Sequence, residues 1–219
     1  MAKLKVGILI SGRGSNMAAL IRATEAADYP AEIACVVSNV ASAAGVALAR
    51  DAGIATTVIP HKDFRDRESF DRALSAKLEA HGVELVVLAG FMRILSQWFP
   101  ERWAGRLLNI HPSLLPAFRG RHVARQALDA GVRVSGCTVH LVTPDLDAGP
   151  IIAQAAVPVL AGDTADMLAA RILRQEHRLY PLVVRWFAEG RVTRRADGTV
   201  VVRDAAATAD ALVSPRDTP

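Results

Sequence analysis

Three polar residues in two short strings carry the strongest chemical signal in this sequence. Asn109 and His111 stand in RLLNIHPSLLP, and Asp147 stands in LVTPDLDAGP. The apolar residues from Leu107 predict a short buried strand that stops at Pro112, and alternate residues of a strand point to the same face. We therefore expect the Asn109 amide and the His111 imidazole to lie side by side at a strand end.

The predicted position of Asp147 is a loop between two later strands, from which its carboxylate could hydrogen-bond the imidazole. An amide and an imidazole suit the stabilisation of a developing oxyanion, and a carboxylate would hold the tautomer of the imidazole and favour its charged form. This combination indicates acyl or formyl transfer. The competing interpretation is a structural core histidine beside a turn asparagine. Both segments carry turn-forming proline and glycine, however, and loops on a rigid sheet commonly carry catalytic groups.

A second candidate site follows the first predicted strand. The string ISGRGSN joins a glycine turn to the start of a predicted helix, so Gly14, Ser15 and Asn16 would present N–H groups at a helix N-terminus. This geometry and the helix dipole favour an anion such as a phosphate. The string lacks the third glycine of GxGxxG and the GK[ST] of a P-loop. A simple turn therefore fits this string equally well.

Two further segments have unusual composition. LAGFMRILS follows a predicted strand, and its apolar residues either pack inward or line a pocket for a flat heterocycle. In a later helical pattern, Ile172, Glu176, Leu179 and Val183 are spaced by four, three and four residues, so they share one side of a helix. A carboxylate on that side is costly unless something pairs with it. A nearby arginine and a bound ligand explain Glu176 equally well.

Alternating strand and helix patterns predict the elements that position these residues. The predicted strands are 4–10, 33–37, 57–59, 85–88 and 107–110, and the predicted helices are 16–27, 43–52 and 67–81. Several of these strands are apolar without interruption, which is typical of strands that are buried on both faces. The alternation predicts a doubly wound, mostly parallel α/β sheet.

The pattern changes toward the end of the chain. Predicted strands at 135–142 and 151–157 share a short loop and should form an antiparallel extension of the sheet. A helix follows at 164–188, with Asp163 as its N-cap and a kink at Pro181. RVTRRADGTVVVRD predicts a hairpin on its Asp-Gly turn. We predict a single domain over residues 1–204 and a disordered tail over residues 205–219.

Composition limits the function classes. The 219 residues are 51% hydrophobic, and no apolar run reaches the roughly 18 residues of a membrane helix. Cys35 and Cys137 lie in apolar contexts without CxxC spacing, which predicts structural burial. A net charge of +4 without a dense basic run fits a small phosphate-bearing substrate better than a nucleic acid. We predict a cytoplasmic protein, monomer or homodimer, that binds neither membranes nor nucleic acids.

Five strings, in this order, resemble the glycinamide ribonucleotide (phosphoribosylglycinamide) formyltransferase family, the folate-dependent enzymes of purine synthesis. They are GRGSN, LAGFMRILS, NIHPSLLPAFRG, GCTVHLVTPDLDAGPII and QEHRLYP, within about residues 4–192. NIHPSLLP with LDAGP is typical of the folate formyltransferase superfamily, whereas GRGSN, QEHRLYP and the extent of the match indicate the purine branch. The resemblance implies a Rossmann-like fold and formyl transfer from 10-formyltetrahydrofolate to the primary amine of glycinamide ribonucleotide.

The resemblance also implies a role for each segment. Asn109, His111 and Asp147 would be catalytic, no metal would be required, and Glu176 would hold the substrate amine. His140 would line the site or be structural. The residues implied for the ribonucleotide are Gly14, Ser15, Asn16, Leu173, Arg174, Gln175 and Glu176. The residues implied for the folate are Arg67, Met92, Arg93, Ile94, Leu95, Asn109, Thr143, Pro144, Asp145, Leu146 and Asp147.

Three alternatives are set against this interpretation. A formyltetrahydrofolate hydrolase shares the Asn/His/Asp set, but its known members carry an additional N-terminal domain, for which we expect no room before residue 4. A methionyl-tRNA formyltransferase usually carries a C-terminal domain that helps to hold tRNA. A non-catalytic nucleotide-binding module would use GRGSN alone and would leave Asn109, His111 and Asp147 unexplained.

Overall fold

A seven-stranded sheet forms the centre of the computed structural model, which describes residues 2–206 and residue 214. Its strands are β1 (Leu4–Ile10), β2 (Ala31–Ser38), β3 (Thr56–Val58), β4 (Leu85–Leu88), β5 (Leu107–His111), β6 (Val134–Leu141) and β7 (Ile151–Pro158). They lie in the order β3-β2-β1-β4-β5-β6-β7, and the first five are parallel. β6 and β7 continue the sheet in antiparallel pairing. The predicted fold class is confirmed.

Helices cover both faces of this sheet. They are α1 (Ser15–Thr24), α2 (Ala44–Asp51), α3 (Arg67–Ala80), α4 (Trp98–Arg102), α5 (Val123–Asp129) and α6 (Ala165–Ala188). Alternate residues of β1 enter different cores: Ile8 and Ile10 pack toward α1, α2, α5 and α6, whereas Leu9 packs toward α3 and α4. Covering both faces in this way explains the uninterrupted apolar strands. α4 and α5 are not predictable from the sequence, because helices of five and seven residues are too short to show a clear period.

The start of α6 differs from the prediction. Thr164, not Asp163, is the N-cap, and its side chain accepts a hydrogen bond from the Met167 N–H. Asp163 instead accepts from the Leu160 N–H and forms a two-pronged ion pair with Arg171. The prediction was wrong because two adjacent residues can each cap a helix, and the tertiary contact with Arg171 decides between them.

The last part of the described chain continues from α6. The helix runs through Pro181 without ending there. A separate two-stranded sheet follows, formed by β8 (Val192–Arg194) and β9 (Val200–Val202), with Asp197 and Gly198 in the connecting turn. The predicted hairpin is confirmed. Most of the predicted tail at 205–219 lies outside the described residues, and the single-domain boundary at 204 stays a prediction.

The strand order places several loops at one edge of the sheet. β1 lies between β2 and β4, and the three strands are parallel. Their carboxyl ends therefore lie at the same edge of the sheet, where ligands bind in open α/β sheets. Ser11, Asn39 and Gly90 lie just after those strands, and His111 ends β5. Over residues 2–206, no helix is both long and apolar enough to cross a membrane. Cys35 and Cys137 are buried and free, as predicted.

Candidate active site

The end of β5 brings together the polar residues singled out in the sequence. His111 and Asp147 are nearly buried, with 6% and 8% of their side chains exposed, and His111 Nδ1 lies 3.5 Å from Asp147 Oδ2. Asp147 has a φ of 48°, a left-handed conformation that aspartate tolerates better than most residues. The Gly120 N–H donates to its Oδ2 at 3.0 Å. The loop after β6 is therefore fixed with its carboxylate against the imidazole.

The imidazole of His111 has an oxygen next to each nitrogen. Nδ1 faces Asp147, and Nε2 donates to the Phe118 carbonyl at 2.9 Å. Phe118 also has a left-handed φ, of 54°, in the loop between β5 and α5. The Phe118 carbonyl thus marks the place where His111 offers its outer N–H.

His140 belongs to the same cluster, which the sequence analysis did not establish. It lies opposite Asn109 in the antiparallel pairing of β5 with β6. Its Nδ1 donates to the Leu141 carbonyl at 2.9 Å, so in the neutral ring Nε2 is an acceptor. Asn109 Nδ2 donates to that nitrogen at 3.2 Å. Burial lowers the pKa of His140, while the Leu141 hydrogen bond and the nearby Asp147 raise it, and the net shift is downward. The neutral ring orients the Asn109 amide.

The glycine turn opens into a cavity of about 450 Å³. Gly14 has a φ of 76°, and a Cβ on it would lie 2.9 Å from the Gly45 Cα, so both conformation and space require glycine. No side chain caps α1, and the backbone N–H groups of residues 15–17 have no partner within the described part of the chain. The turn therefore presents free donors and the positive end of a helix to the cavity.

Two cavity residues were not anticipated from the sequence. Asn39 and His61 line the wall beside the turn. Ser11 Oγ donates to Asn39 Oδ1 at 2.6 Å, and His61 Nδ1 lies 3.2 Å from both the Asn39 carbonyl and its Nδ2. Ser11 and Asn39 directly follow β1 and β2. That position at the carboxyl ends of parallel strands is the signal that could have identified them.

Glu176 is buried on α6, and its partner is an amide, not an arginine. Its Oε2 accepts from Asn16 Nδ2 at 2.7 Å, which joins α6 to the glycine turn. Burial raises the pKa of Glu176, and the Asn16 hydrogen bond opposes this only in part. Ile172, Leu179 and Val183 are buried on the same face, as their spacing predicted. In the same turn of α6, Arg174 is exposed, and residues 173 and 175 are half-buried.

Two loops expose large apolar side chains near the end of the sheet. Met92 is 75% exposed, Ile94 59% and Leu146 58%. They therefore do not pack inward, whereas Leu95 packs against the core on the α3 side. Thr143 is half-buried and residues 144–145 are exposed; Arg67 is exposed at the first residue of α3, and Arg93 is half-buried. The described residues contain no group of three or more histidine, cysteine or acidic residues that could hold a metal ion.

Comparison with known proteins defines the class. The model of the formyl transferase family matches residues 4–184, so the chain belongs to this family. Phosphoribosylglycinamide formyltransferase of Escherichia coli (strain K12) is 50% identical over 189 residues, covering 86% of this chain and 89% of that protein. The crystal structure of glycinamide ribonucleotide transformylase 1 from Symbiobacterium toebii has a TM-score of 0.89 and 46% identity, covering 92% and 95% of the two chains.

A longer relative contains a similar unit. The trifunctional purine biosynthetic protein adenosine-3 of Gallus gallus is 51% identical over 190 residues. These residues are 87% of this chain but only 19% of that protein. The chain therefore spans about a fifth of the length of this relative.

Proposed function

We propose that this protein transfers the formyl group of 10-formyltetrahydrofolate to the primary amine of glycinamide ribonucleotide, a step of de novo purine biosynthesis. The observation that carries this proposal is the cluster at the end of β5. It holds an oriented Asn109 amide and a His111 imidazole between a carboxylate and a carbonyl. Relatives that match over most of both chains are named for this activity.

The ribonucleotide phosphate is assigned to the glycine turn. Gly14, Ser15 and Asn16 start α1 without a side-chain cap, and the free N–H groups of its first turn face the cavity. Backbone donors and the helix dipole together favour a phosphate there. Arg13 lines the same cavity and adds positive charge.

The other end of the ribonucleotide is assigned to α6. The Glu176 carboxylate accepts hydrogen bonds from the primary amine of the ribonucleotide. Its hydrogen bond to Asn16 supports this assignment, because it joins α6 to the glycine turn, so that one ligand can contact both elements. Leu173, Arg174 and Gln175 lie in the same turn of the helix. We propose that they border the ligand.

The folate is assigned to the segment from Met92 to Leu95 and to the loop at 143–147. Their exposed apolar side chains suit a flat heterocycle. The peptide groups of residues 93–95 have no partner within the described chain and can bond the edge of that heterocycle. Arg67 supplies a positive charge for a folate carboxylate. When bound, 10-formyltetrahydrofolate supplies the formyl group.

The residues at the end of β5 act on the formyl oxygen and on the protons. The formyl oxygen takes the place of the Phe118 carbonyl, which accepts from the outer N–H of His111 in the ligand-free protein. As negative charge develops, the oxygen takes hydrogen bonds from His111 and from the free N–H of Asn109. Asp147 holds the ring from the other side. His111 then helps to move a proton from the attacking amine to the departing folate nitrogen.

An assay of tetrahydrofolate formation tests this function. With both substrates, tetrahydrofolate and the N-formyl product should appear in equal amounts, and without the ribonucleotide almost no tetrahydrofolate should form. Equal rates in its absence would identify a hydrolase, and binding without turnover would identify a nucleotide-binding module. A cytoplasmic location, a monomeric or homodimeric state and an absence of nucleic-acid partners stay predictions.

A further inference from the structure

The segment 92–96 is a loop with two different faces. Met92 and Ile94 are exposed on one face. Arg93 lies on the other face, and its guanidinium carbon is 5.1 Å from the centre of the Phe70 ring on α3. One face of the segment is therefore open for a ligand, and the other rests on α3.

Two side chains hold the ends of this segment. The Met92 N–H donates to Ser11 Oγ at 2.7 Å, and the Ser96 N–H donates to Asp71 Oδ2 at 2.5 Å. Between these ends, the peptide groups of residues 93–95 make no hydrogen bond with the rest of the described chain. The segment thus spans the gap between the end of β1 and α3, and its middle residues are not held by backbone hydrogen bonds to the rest of the described chain.

The buried position of Asp71 beside this segment costs free energy of folding. It is 0% exposed on α3, and its Oδ1 has no hydrogen-bond partner among the described residues. Burial raises its pKa, whereas the hydrogen bonds from Ser96 and the charges of Arg93 and Arg67 lower it, and the net shift is upward. A buried carboxylate destabilises the fold unless its contacts offset the lost hydration. Among the described residues, its hydrogen-bond partner is Ser96 of the segment.

We propose that Asp71 and Ser11 are positioning residues, which hold the segment 92–96 so that its free peptide groups and apolar face meet the folate. The ligand named here rests on the proposed function, whereas the two attachments do not. Ser11 also donates to Asn39, so the attachment at Met92 continues to the wall of the phosphate cavity. Without Asp71, residues 93–95 would have to be ordered when the folate binds, and that ordering weakens affinity.

Asp71→Ala, with Ser75→Ala as its matched control, tests the proposal. Ser75 lies on the same helix at 2% exposure, but its side chain bonds Trp103 and Glu79, away from the segment. Asp71→Ala should raise the folate KM about tenfold, as expected for one lost hydrogen bond and a loosened loop. The kcat at saturation and the ribonucleotide KM should each stay within about twofold. Ser75→Ala should leave both KM values within about twofold.

Hydrogen exchange in the ligand-free protein gives a second measurement that does not depend on the substrate. The Ser96 amide should be protected in the wild type and in Ser75→Ala, and should lose protection in Asp71→Ala. If Asp71→Ala does not fold, Asp71→Asn decides by the same measurements, with an expected rise in folate KM of about threefold, because a neutral acceptor binds more weakly.

An unchanged folate KM together with an unchanged Ser96 exchange rate would overturn the proposal. So would an equal rise in folate KM in Ser75→Ala, because the effect would then be general destabilisation. If the wild type forms no tetrahydrofolate, the proposed function fails, and the exchange data still decide whether Asp71 holds the segment.

Discussion

Replacing Glu176 by glutamine should weaken ribonucleotide binding while stabilising the fold. The side chain is 6% exposed, and its Oε2 accepts a 2.7 Å hydrogen bond from Asn16. Burial raises the pKa of this carboxyl more than the Asn16 hydrogen bond lowers it. The charged form is therefore a net cost to the folded protein. Glutamine keeps the shape and an acceptor for Asn16 but removes the charge.

The pH dependence of stability shows whether the Glu176 charge stabilises or destabilises the fold. Because the pKa of Glu176 is raised above its ordinary 4.5, its contribution to wild-type stability is fully present below pH 4.5 and is lost as pH rises through the folded pKa. Glutamine does not titrate. A hydrogen bond to a charged acceptor contributes about 1.5–3 kcal/mol and a neutral one about 1 kcal/mol, so the variant loses roughly 0.5–2 kcal/mol in its hydrogen bond with Asn16. The relief of desolvation exceeds that loss, since the net pKa shift is upward.

Two assays separate the effects. Urea unfolding should show the difference in free energy of unfolding, variant minus wild type, rising between pH 4 and pH 7.5. Calorimetry should show ribonucleotide affinity reduced roughly ten- to a hundredfold, with folate affinity unchanged. Glu189→Gln serves as the control. It replaces a half-buried carboxylate near the end of α6 and should change neither affinity. A Glu176→Gln protein that is less stable at pH 7.5 and binds the ribonucleotide normally would refute this reasoning.

Three further substitutions test other parts of the site. Asp147→Asn should lower kcat about 100-fold or more, with the ribonucleotide KM nearly unchanged, because the charge 3.5 Å from His111 is lost; steady-state kinetics decides this. Asn16→Ala should raise the ribonucleotide KM about tenfold and leave the folate KM unchanged, since it releases Glu176. The pKa of His140 lies below 6.5, so the wild type loses stability as pH falls below 6.5. Between pH 7.5 and pH 5, the free energy of unfolding in urea should fall less for His140→Gln than for the wild type. An equal fall in both proteins would count against a buried neutral ring.

The sequence predicted those features that depend on residues close together in the chain. Pro112 follows the last residue of β5, and strand alternation puts Asn109 and His111 on the same face of that strand. The periodicity of α6 placed Glu176 on a buried face. In these cases the information lies within a few residues, so a period or a turn residue is enough to fix it.

Partners from distant parts of the chain could not be predicted in the same way. The His140 contact with Asn109 depends on the register of β5 against β6, and the Asn16 contact with Glu176 on the packing of α1 against α6. The Phe118 carbonyl depends on a left-handed loop residue that no sequence rule identifies. These contacts follow from the tertiary packing of elements that lie far apart in the sequence.

Single-turnover kinetics of His111→Ala tests the central claim most directly. With both substrates bound at saturation, the rate of formyl transfer should fall about 100-fold or more, because the variant loses a proton carrier and an oxyanion donor. The control is His81→Ala, on the far end of α3, which should keep the wild-type rate. If His111→Ala binds both substrates and retains more than about half of the wild-type rate, the assignment of chemistry to the end of β5 is contradicted.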